Sequence, residues 1–248
     1  MKLLNNNLLF SAIALASSFA SPVSARLRRQ LDSDHTSDNS EGTTTTTTTT
    51  DTDTTERSLT LRIINQTFKQ PFSPFFVMVH NDQTDPLYAR GEPATSALAT
   101  LAEEGDSSEL LSLYEEAEGV WSAVQAGGLT LPGSSLEVNI TVSDEYPLVT
   151  IASMAVNTND CFVSLNGAAL QSGMVINTPG NDAGSEVNNE DCSCIPGPAC
   201  ADFEKQDGNC GAGEGYVHVH RGIHGFNGSD LLPQEVDWRN PMMRVIVV

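Results

Sequence analysis

Basic residues are scarce in this chain of 248 residues, which carries 12 Lys and Arg against 32 Asp and Glu. From Leu59 to the end, 7 basic residues stand against 25 acidic ones, a net charge near −18. A surface this acidic repels phosphate backbones and anionic lipids, so we expect no nucleic-acid partner and no direct membrane binding. The same charge suits multivalent cations, or it serves solubility alone.

Enzyme motifs are also lacking. The sequence contains no G-x-S-x-G, no H-E-x-x-H and no phosphate-binding glycine loop, which mark hydrolases, zinc proteases and nucleotide-binding enzymes. Any enzymatic interpretation therefore depends on the few histidines. We expect a protein without catalytic activity.

Long hydrophobic runs are absent beyond the N-terminus. Residues 1–25 combine Lys2, an apolar run at 8–16 and small residues at 23–25, which together predict a cleaved signal peptide. The apolar run is too short to cross a bilayer comfortably. We therefore expect a secreted, extracellular protein that does not insert into membranes.

Residues 26–58 are polar and include a threonine tract at 43–50. Such a segment cannot bury enough apolar surface to offset the entropy of ordering it, so it predicts a disordered stalk. The stalk is either an O-glycosylated spacer or an undecorated one, and Arg28 and Arg29 form a candidate processing site. Residues 59–248 remain for one domain with a sizeable core.

Cysteine is sparse overall but locally concentrated. Four of the five cysteines lie in one loop rich in Gly and Pro: Cys192, Cys194, Cys200 and Cys210. In an oxidising compartment they predict two disulfides, with three possible connectivities, of which a bridge between Cys192 and Cys194 is sterically the least attractive. Zinc binding is the alternative, although the spacing departs from paired C-x2-C motifs. Cys161 is left over and is expected to be a small buried hydrophobe.

Short segments with a hydrophobic period of two predict a chain of β-strands. These strands are expected at residues 59–65, 75–80, 135–142, 147–156, 162–165 and 242–248. The strand at 147–156 is continuously apolar and should be central, while Asn166 and Gly167 predict a turn. Residues 93–104 and 107–117 predict two short helices that plug one end of a sheet. The fold class is therefore all-β, an antiparallel β-sandwich with short helical insertions.

Histidines concentrate near residue 220. His218 and His220 lie on one face of a predicted strand, because side chains alternate along a strand. With His224 a short turn further on and His80 at the end of another strand, four imidazoles could hold zinc or copper and support redox or hydrolytic chemistry. Alternatively, His218 and His220 are hydrogen-bonded residues that brace neighbouring carboxylates or carbonyls.

Acidic residues flank a glycine turn and a strand. Asp160 precedes the predicted strand at 162–165, and Asp182 and Glu186 lie on either side of Gly184. Calcium takes about six to eight oxygen ligands, which loops between strands can supply. The alternative is a solvated loop held by Asx turns.

Several motifs in the same order resemble a spondin domain, and in particular its secreted microbial and marine branch. The motifs are NTNDCFVSLNG at 157–167, DAGSE at 182–186 and DWRNP at 237–241, with further similarity at 80–81, 91–94, 101–105 and 213–220. The similarity covers nearly all of residues 59–248. It implies an antiparallel β-sandwich like that of membrane-binding calcium domains, an extracellular location, and non-catalytic adhesion to protein or glycan ligands of the matrix or cell surface.

The resemblance also implies a calcium ion at one end of the sandwich. Its carboxylate ligands would be Asp160, Asp182 and Glu186. Cys161 stands where the animal spondins have an aromatic residue, and their partner modules, such as thrombospondin repeats, are absent. No particular receptor is therefore implied.

Three sequons could carry N-linked glycans in a secreted protein. They begin at Asn65, Asn139 and Asn227. A glycan on Asn227 would stand close to the proposed histidine loop.

Overall fold

A computed structural model of the chain describes residues 55–205, 210–225 and 228–248. The predicted signal peptide, the stalk up to residue 54, the candidate processing site at Arg28 and Arg29, and the sequon at Asn227 lie outside the described residues. None of the helices within the described ranges has the length and apolarity that a membrane span needs.

The described residues contain ten strands, three short α-helices and two single-turn 3-10 helices. The strands are β1 Arg57–Asn65, β2 Phe75–His80, β3 Val120–Ala126, β4 Ser135–Val142, β5 Leu148–Met154, β6 Cys161–Ala169, β7 Val175–Thr178, β8 Gly180–Asp182, β9 His218–Val219 and β10 Met243–Val247. The α-helices are α1 Ser96–Glu104, α2 Ser108–Tyr114 and α3 Pro233–Val236, and the 3-10 helices are Cys192–Cys194 and Pro198–Cys200.

The strands form two antiparallel sheets, which confirms the predicted all-β sandwich. One sheet has the order β4-β1-β10-β7, and the other has the order β3-β2-β5-β6-β8-β9. The main core lies between them, because alternate residues of both sheets point inward. Examples are Leu61 and Ile63 of β1, Ile151 of β5 and Val163 of β6, all fully buried.

The six-stranded sheet is buried on both faces at its centre. β5 lies between β2 and β6, and six of its seven residues are buried, as its continuous apolar pattern predicted. The predicted helices exist, but their expected position was wrong. They cover the outer face of this sheet. There, Leu98 and Leu101 of α1 pack with three apolar side chains of the sheet, Phe76, Met78 and Phe162. This packing removes the outward-facing apolar side chains from water, which is favourable.

One local prediction, the turn at Asn166 and Gly167, fails in β6. β6 continues through Asn166 and Gly167 to Ala169 instead of turning. Gly167 N–H donates to the Thr150 hydroxyl at 2.8 Å, and the Asn166 side chain accepts from Leu87 N–H and donates to a neighbouring carbonyl. These tertiary hydrogen bonds hold the Asn-Gly pair in the strand. The sequence patterns also missed β3, β7 and β8.

The predicted cysteine loop contains two disulfides, Cys192–Cys200 and Cys194–Cys210. Cys161 is free and fully buried, as expected. The loop belongs to the core even though it has little regular structure. Between β8 and β10, the main core cluster takes in Cys192, Ile195, Cys200, Ile223, Leu231, Val236, Trp238 and Met242.

Two of the three sequon asparagines lie within the described residues, and they differ in burial. Asn65 is fully buried, and its Nδ2 donates to the carbonyls of Gln70 at 2.7 Å and Thr130 at 3.0 Å. A glycan on this nitrogen is incompatible with the folded domain. Asn139 is exposed on β4, where a glycan has room.

Lys205 ties the cysteine loop together. Its ammonium group donates to the carbonyls of Cys192 at 2.8 Å, Ile195 at 2.6 Å and Cys200 at 2.8 Å. We expect Lys205→Met to lower the free energy of unfolding by about 1 kcal/mol, because three carbonyls lose a charged donor. Thermal melting should show a decrease of about 2–4 °C. Lys69→Met is the control and should change stability by less than about 0.5 kcal/mol; equal losses in both variants would contradict this role.

Candidate metal centre

Three strand ends meet at one edge of the six-stranded sheet. Asp160 immediately precedes β6, Asp182 ends β8, and His218 begins β9. The antiparallel register sets Asp182 opposite Cys161 on one side and opposite His218 on the other. Directly opposed residues project from the same face of a sheet, so the Asp182 carboxylate lies beside the His218 ring. This edge therefore gathers predicted calcium ligands and predicted imidazoles.

The turn after β8 folds around the carboxylate of Asp160. Oδ2 of Asp160 accepts from the Ser185 N–H at 2.8 Å, the Ser185 hydroxyl at 3.2 Å and the Glu186 N–H at 3.1 Å. The Gly184 N–H donates to Asp182 Oδ1 at 2.8 Å, which makes an Asx turn. Gly184 has a φ of +69°, a conformation that favours glycine. The turn holds Glu186 next to Asp160.

Asp160 and Glu186 each present a buried oxygen without a donor. Oδ1 of Asp160 and Oε2 of Glu186 have no hydrogen-bond partner among the described residues. Burial, with the nearby Asp182 carboxylate, raises the pKa of Asp160 to about 7. Burial also raises the pKa of Glu186 to about 7, and Glu103 and Asp160 add to this effect. The surroundings therefore stabilise the ionised forms of these two carboxyl groups poorly.

A second group of ligand atoms lies across Asp182. Within the described ranges, one set of three His, Cys, Asp or Glu side chains has ligand atoms all within 4.8 Å of one another: Asp182, Glu214 and His218. Nε2 of His218 is 3.6 Å from Asp182 Oδ1 and 3.6 Å from Glu214 Oε2. This Asp/Glu/His group could hold a metal ion.

The His218 ring has a defined orientation. Its Nδ1 lies 3.1 Å from the Val219 carbonyl oxygen, which can only accept, so Nδ1 carries a proton. Burial lowers the pKa of His218, but the Val219 carbonyl and the carboxylates of Asp182 and Glu214 outweigh burial and raise it. In the neutral ring, Nε2 is therefore the unprotonated nitrogen, and it lies 3.6 Å from each of the two carboxylates.

His220 has a different role from His218. The Gly222 N–H donates to His220 Nδ1 at 3.0 Å, so Nε2 carries the proton and donates to Asn188 Oδ1 at 3.1 Å. Asn188 Nδ2 in turn donates to Asp182 Oδ2 at 2.8 Å. Burial, together with His218 and His224, lowers the pKa of His220 to about 3. His220 is thus a neutral residue that orients Asp182 through Asn188.

The remaining two histidines do not join this group. His80 is buried, and its ring contacts the Asn81 carbonyl and the Thr150 hydroxyl, both at 2.9 Å. His224 Nδ1 lies 3.9 Å from Glu190 Oε1. The predicted set of four imidazoles therefore does not converge on one ion, because both ring nitrogens of His80 and of His220 form other hydrogen bonds.

The predicted calcium set is divided between two surroundings. Asp160 and Glu186 share one turn. Asp182 accepts from Gly184 N–H of that turn through Oδ1, but its Oδ2 accepts from Asn188 on the histidine side. Glu214 was not among the predicted ligands. Its spacing of four residues from His218 was the available signal, but it lies in an irregular glycine-rich segment.

A cavity of about 610 Å³ opens beside the Asp/Glu/His group. It lies along the segment that carries β9. Its polar lining includes Asp182, Asn188, Glu214, His218, Arg221 and His224. The group therefore borders space large enough for a bound molecule.

Fold and site together define an antiparallel β-sandwich with a potential metal-binding group at one sheet edge. No protein-family model matches the chain, and a comparison with curated proteins finds no match. The similarity to spondin domains therefore rests on the sequence motifs and their order.

Proposed function

We propose that this chain is a secreted, non-catalytic binding protein with a spondin-like domain. In this proposal, calcium bound at Asp160 and Glu186 stiffens one end of the sandwich for contact with matrix, glycan or cell-surface ligands. The observation that carries the proposal is the pair of buried carboxylate oxygens, one from each residue, that have no donor among the described residues.

The chemistry of this pair favours a hard cation. A buried carboxylate oxygen without a partner is costly, and a proton or a cation removes the cost. Calcium prefers carboxylate, carbonyl and water oxygens. The C-terminal turn of α1 adds the charges of Glu103 and Glu104 near Glu186, and the carbonyl end of a helix is itself partly negative. Each of these features attracts a positive ion.

The environment also fits calcium. Two disulfides indicate an oxidising, extracellular type of environment. Calcium sites of extracellular modules have dissociation constants of about 10⁻⁴ to 10⁻³ M. The predicted signal peptide would take the protein to such surroundings, where a weak site fills.

Calcium titration followed by thermal melting tests the proposal. At 10 mM calcium, the metal-free protein should gain about 2 kcal/mol, a rise of about 4–8 °C, because the ion binds the folded state alone. Chelator should reverse the rise. Glu186→Gln should abolish it, while Glu214→Gln, in the neighbouring group, should retain it.

Two results would contradict the calcium assignment: no shift in the unaltered protein, or an equal shift in Glu186→Gln. The binding role is tested with immobilised matrix extract and a glycan array, with calcium and with chelator. Retention that requires calcium and is lost in Glu186→Gln would support adhesion. Retention unchanged by chelator and by the substitution would remove calcium from it.

A further inference from the structure

We propose that the cavity beside β9 contains a second metal site, specific for a zinc-type transition ion and formed by Asp182, Glu214 and His218. The ion would keep one coordination position open to the cavity for an exogenous oxygen ligand, such as water or a carboxylate. The site goes beyond the proposed calcium function and does not depend on it, since it shares neither Asp160 nor Glu186.

Two of the three donor separations are close to those around a bound ion, and all three donor atoms lie within 4.8 Å of one another. Tetrahedral ligands about 2.0–2.1 Å from zinc lie about 3.3 Å from one another. The His218 nitrogen is 3.6 Å from each of the carboxylate oxygens of Asp182 and Glu214. These separations are too long for hydrogen bonds, and a central ion would bridge all three atoms after small side-chain adjustments.

The donors are also oriented by their surroundings. The Val219 carbonyl holds the proton of His218 on Nδ1, which leaves Nε2 as the ligand nitrogen. Asp182 is oriented by Asn188, which is held in turn by His220. Metal-binding histidines and carboxylates characteristically have such hydrogen-bonded supports. The buried His220, which otherwise has no role in binding, is explained as part of this support.

The donor set selects the type of ion. Calcium and magnesium take oxygen ligands, whereas zinc readily takes imidazole nitrogen with carboxylates. Three protein ligands leave a tetrahedral ion one position short, which is the arrangement of zinc sites that bind water or an outside ligand. Here the adjoining cavity of about 610 Å³ supplies the room, and Arg221 and His224 line it. Those side chains suit a ligand with an anionic oxygen.

Cobalt(II), which reports coordination through its visible spectrum, is the probe for the experiment. The metal-free full chain should give the intense visible bands of a four- or five-coordinate cobalt site, and one equivalent of zinc should bleach them. His218→Ala should weaken zinc binding by about 100-fold or more, since loss of even an indirect partner costs about 10- to 100-fold. His224→Ala, in the same cavity, should stay within about 3-fold of the unaltered protein.

Further variants separate this site from the calcium site. Glu214→Gln changes a half-exposed side chain and serves if His218→Ala does not fold; it should weaken zinc binding about 10-fold or more. His218→Ala should keep its calcium-induced rise in melting temperature, and Glu186→Gln should keep its zinc binding. Weak, octahedral cobalt spectra, or equal zinc affinity in the unaltered protein and both site variants, would overturn the proposal whatever the calcium result.

Discussion

Gly184→Ala is expected to lower the free energy of unfolding by about 4 kcal/mol or more. A Cβ on Gly184 would lie 2.4 Å from the Tyr216 carbonyl oxygen and 2.7 Å from the Tyr216 nitrogen. Both are backbone atoms and cannot rotate away. The positive φ adds about 1–2 kcal/mol of backbone strain. Relief requires the turn after β8 to separate from the segment entering β9, which would displace both groups of ligands.

The matched control is Gly215→Ala, one residue before Tyr216. Gly215 has a similar φ of +81°, but a Cβ there meets nothing within 4 Å. It should therefore cost the strain alone, about 1–2 kcal/mol. Thermal melting should show a loss of about 8–16 °C for Gly184→Ala and about a third of that for Gly215→Ala. Equal losses would mean that the contact with Tyr216 is unimportant.

Without metal, Glu186→Gln is expected to become more stable than the unaltered protein as the pH rises. The pKa of Glu186 is raised by burial and by Glu103 and Asp160, from 4.5 to about 7. A carboxyl whose pKa is raised on folding contributes stability below its unfolded pKa, and this stability is lost as the pH rises through the folded pKa. At pH 4 the two proteins should melt together. At pH 8 the variant should lead by about 2 kcal/mol, because solvent screening reduces the effect of a partly exposed carboxylate.

The comparison with Glu186→Gln is needed because His220 acts in the opposite sense. Its pKa is lowered on folding, so its contribution to stability is lost as the pH falls below about 6.5. The difference between the two proteins removes this effect, since both contain His220. Calcium at 10 mM and pH 8 should remove most or all of this lead, because the ion requires the carboxylate and stabilises the unaltered protein by about 2 kcal/mol. A difference independent of pH from 4 to 8 would show that the surroundings of Glu186 do not disfavour its ionised form.

Hydrophobic patterning predicted the strands that carry the core. β2 and β4 have their predicted bounds. A strand with one buried face alternates apolar and polar residues, and a strand buried on both faces is continuously apolar. β7 and β8 were missed because they have four and three residues, with Asn and Gly among them. Their pairing is supported by β10 and β6 rather than by their own sequence. Local patterns cannot show that support.

The site was predictable residue by residue but not as an arrangement. Asp160, Asp182 and His218 stood out because polar groups at strand ends are held rigidly. Their grouping depends on the pairing of β6, β8 and β9, strands separated by long insertions. The hydrogen bonds that commit His220 to Asn188 are likewise tertiary. In the sequence the four histidines were therefore equivalent candidates for metal ligands. In the fold, His218 is the one of these four that joins the Asp/Glu/His group.

The irregular segment between β8 and β10 has a consequence for how the chain folds during its synthesis. It contributes Ile195, Ile223, Leu231 and Trp238 to the main core, so the space between the sheets closes only when this late-synthesised stretch has docked. A chain arrested before that stage would leave apolar surface uncovered and prone to aggregation. The same segment carries His218 and Glu214. Completion of the interior and placement of His218 and Glu214 beside Asp182 therefore depend on the same segment.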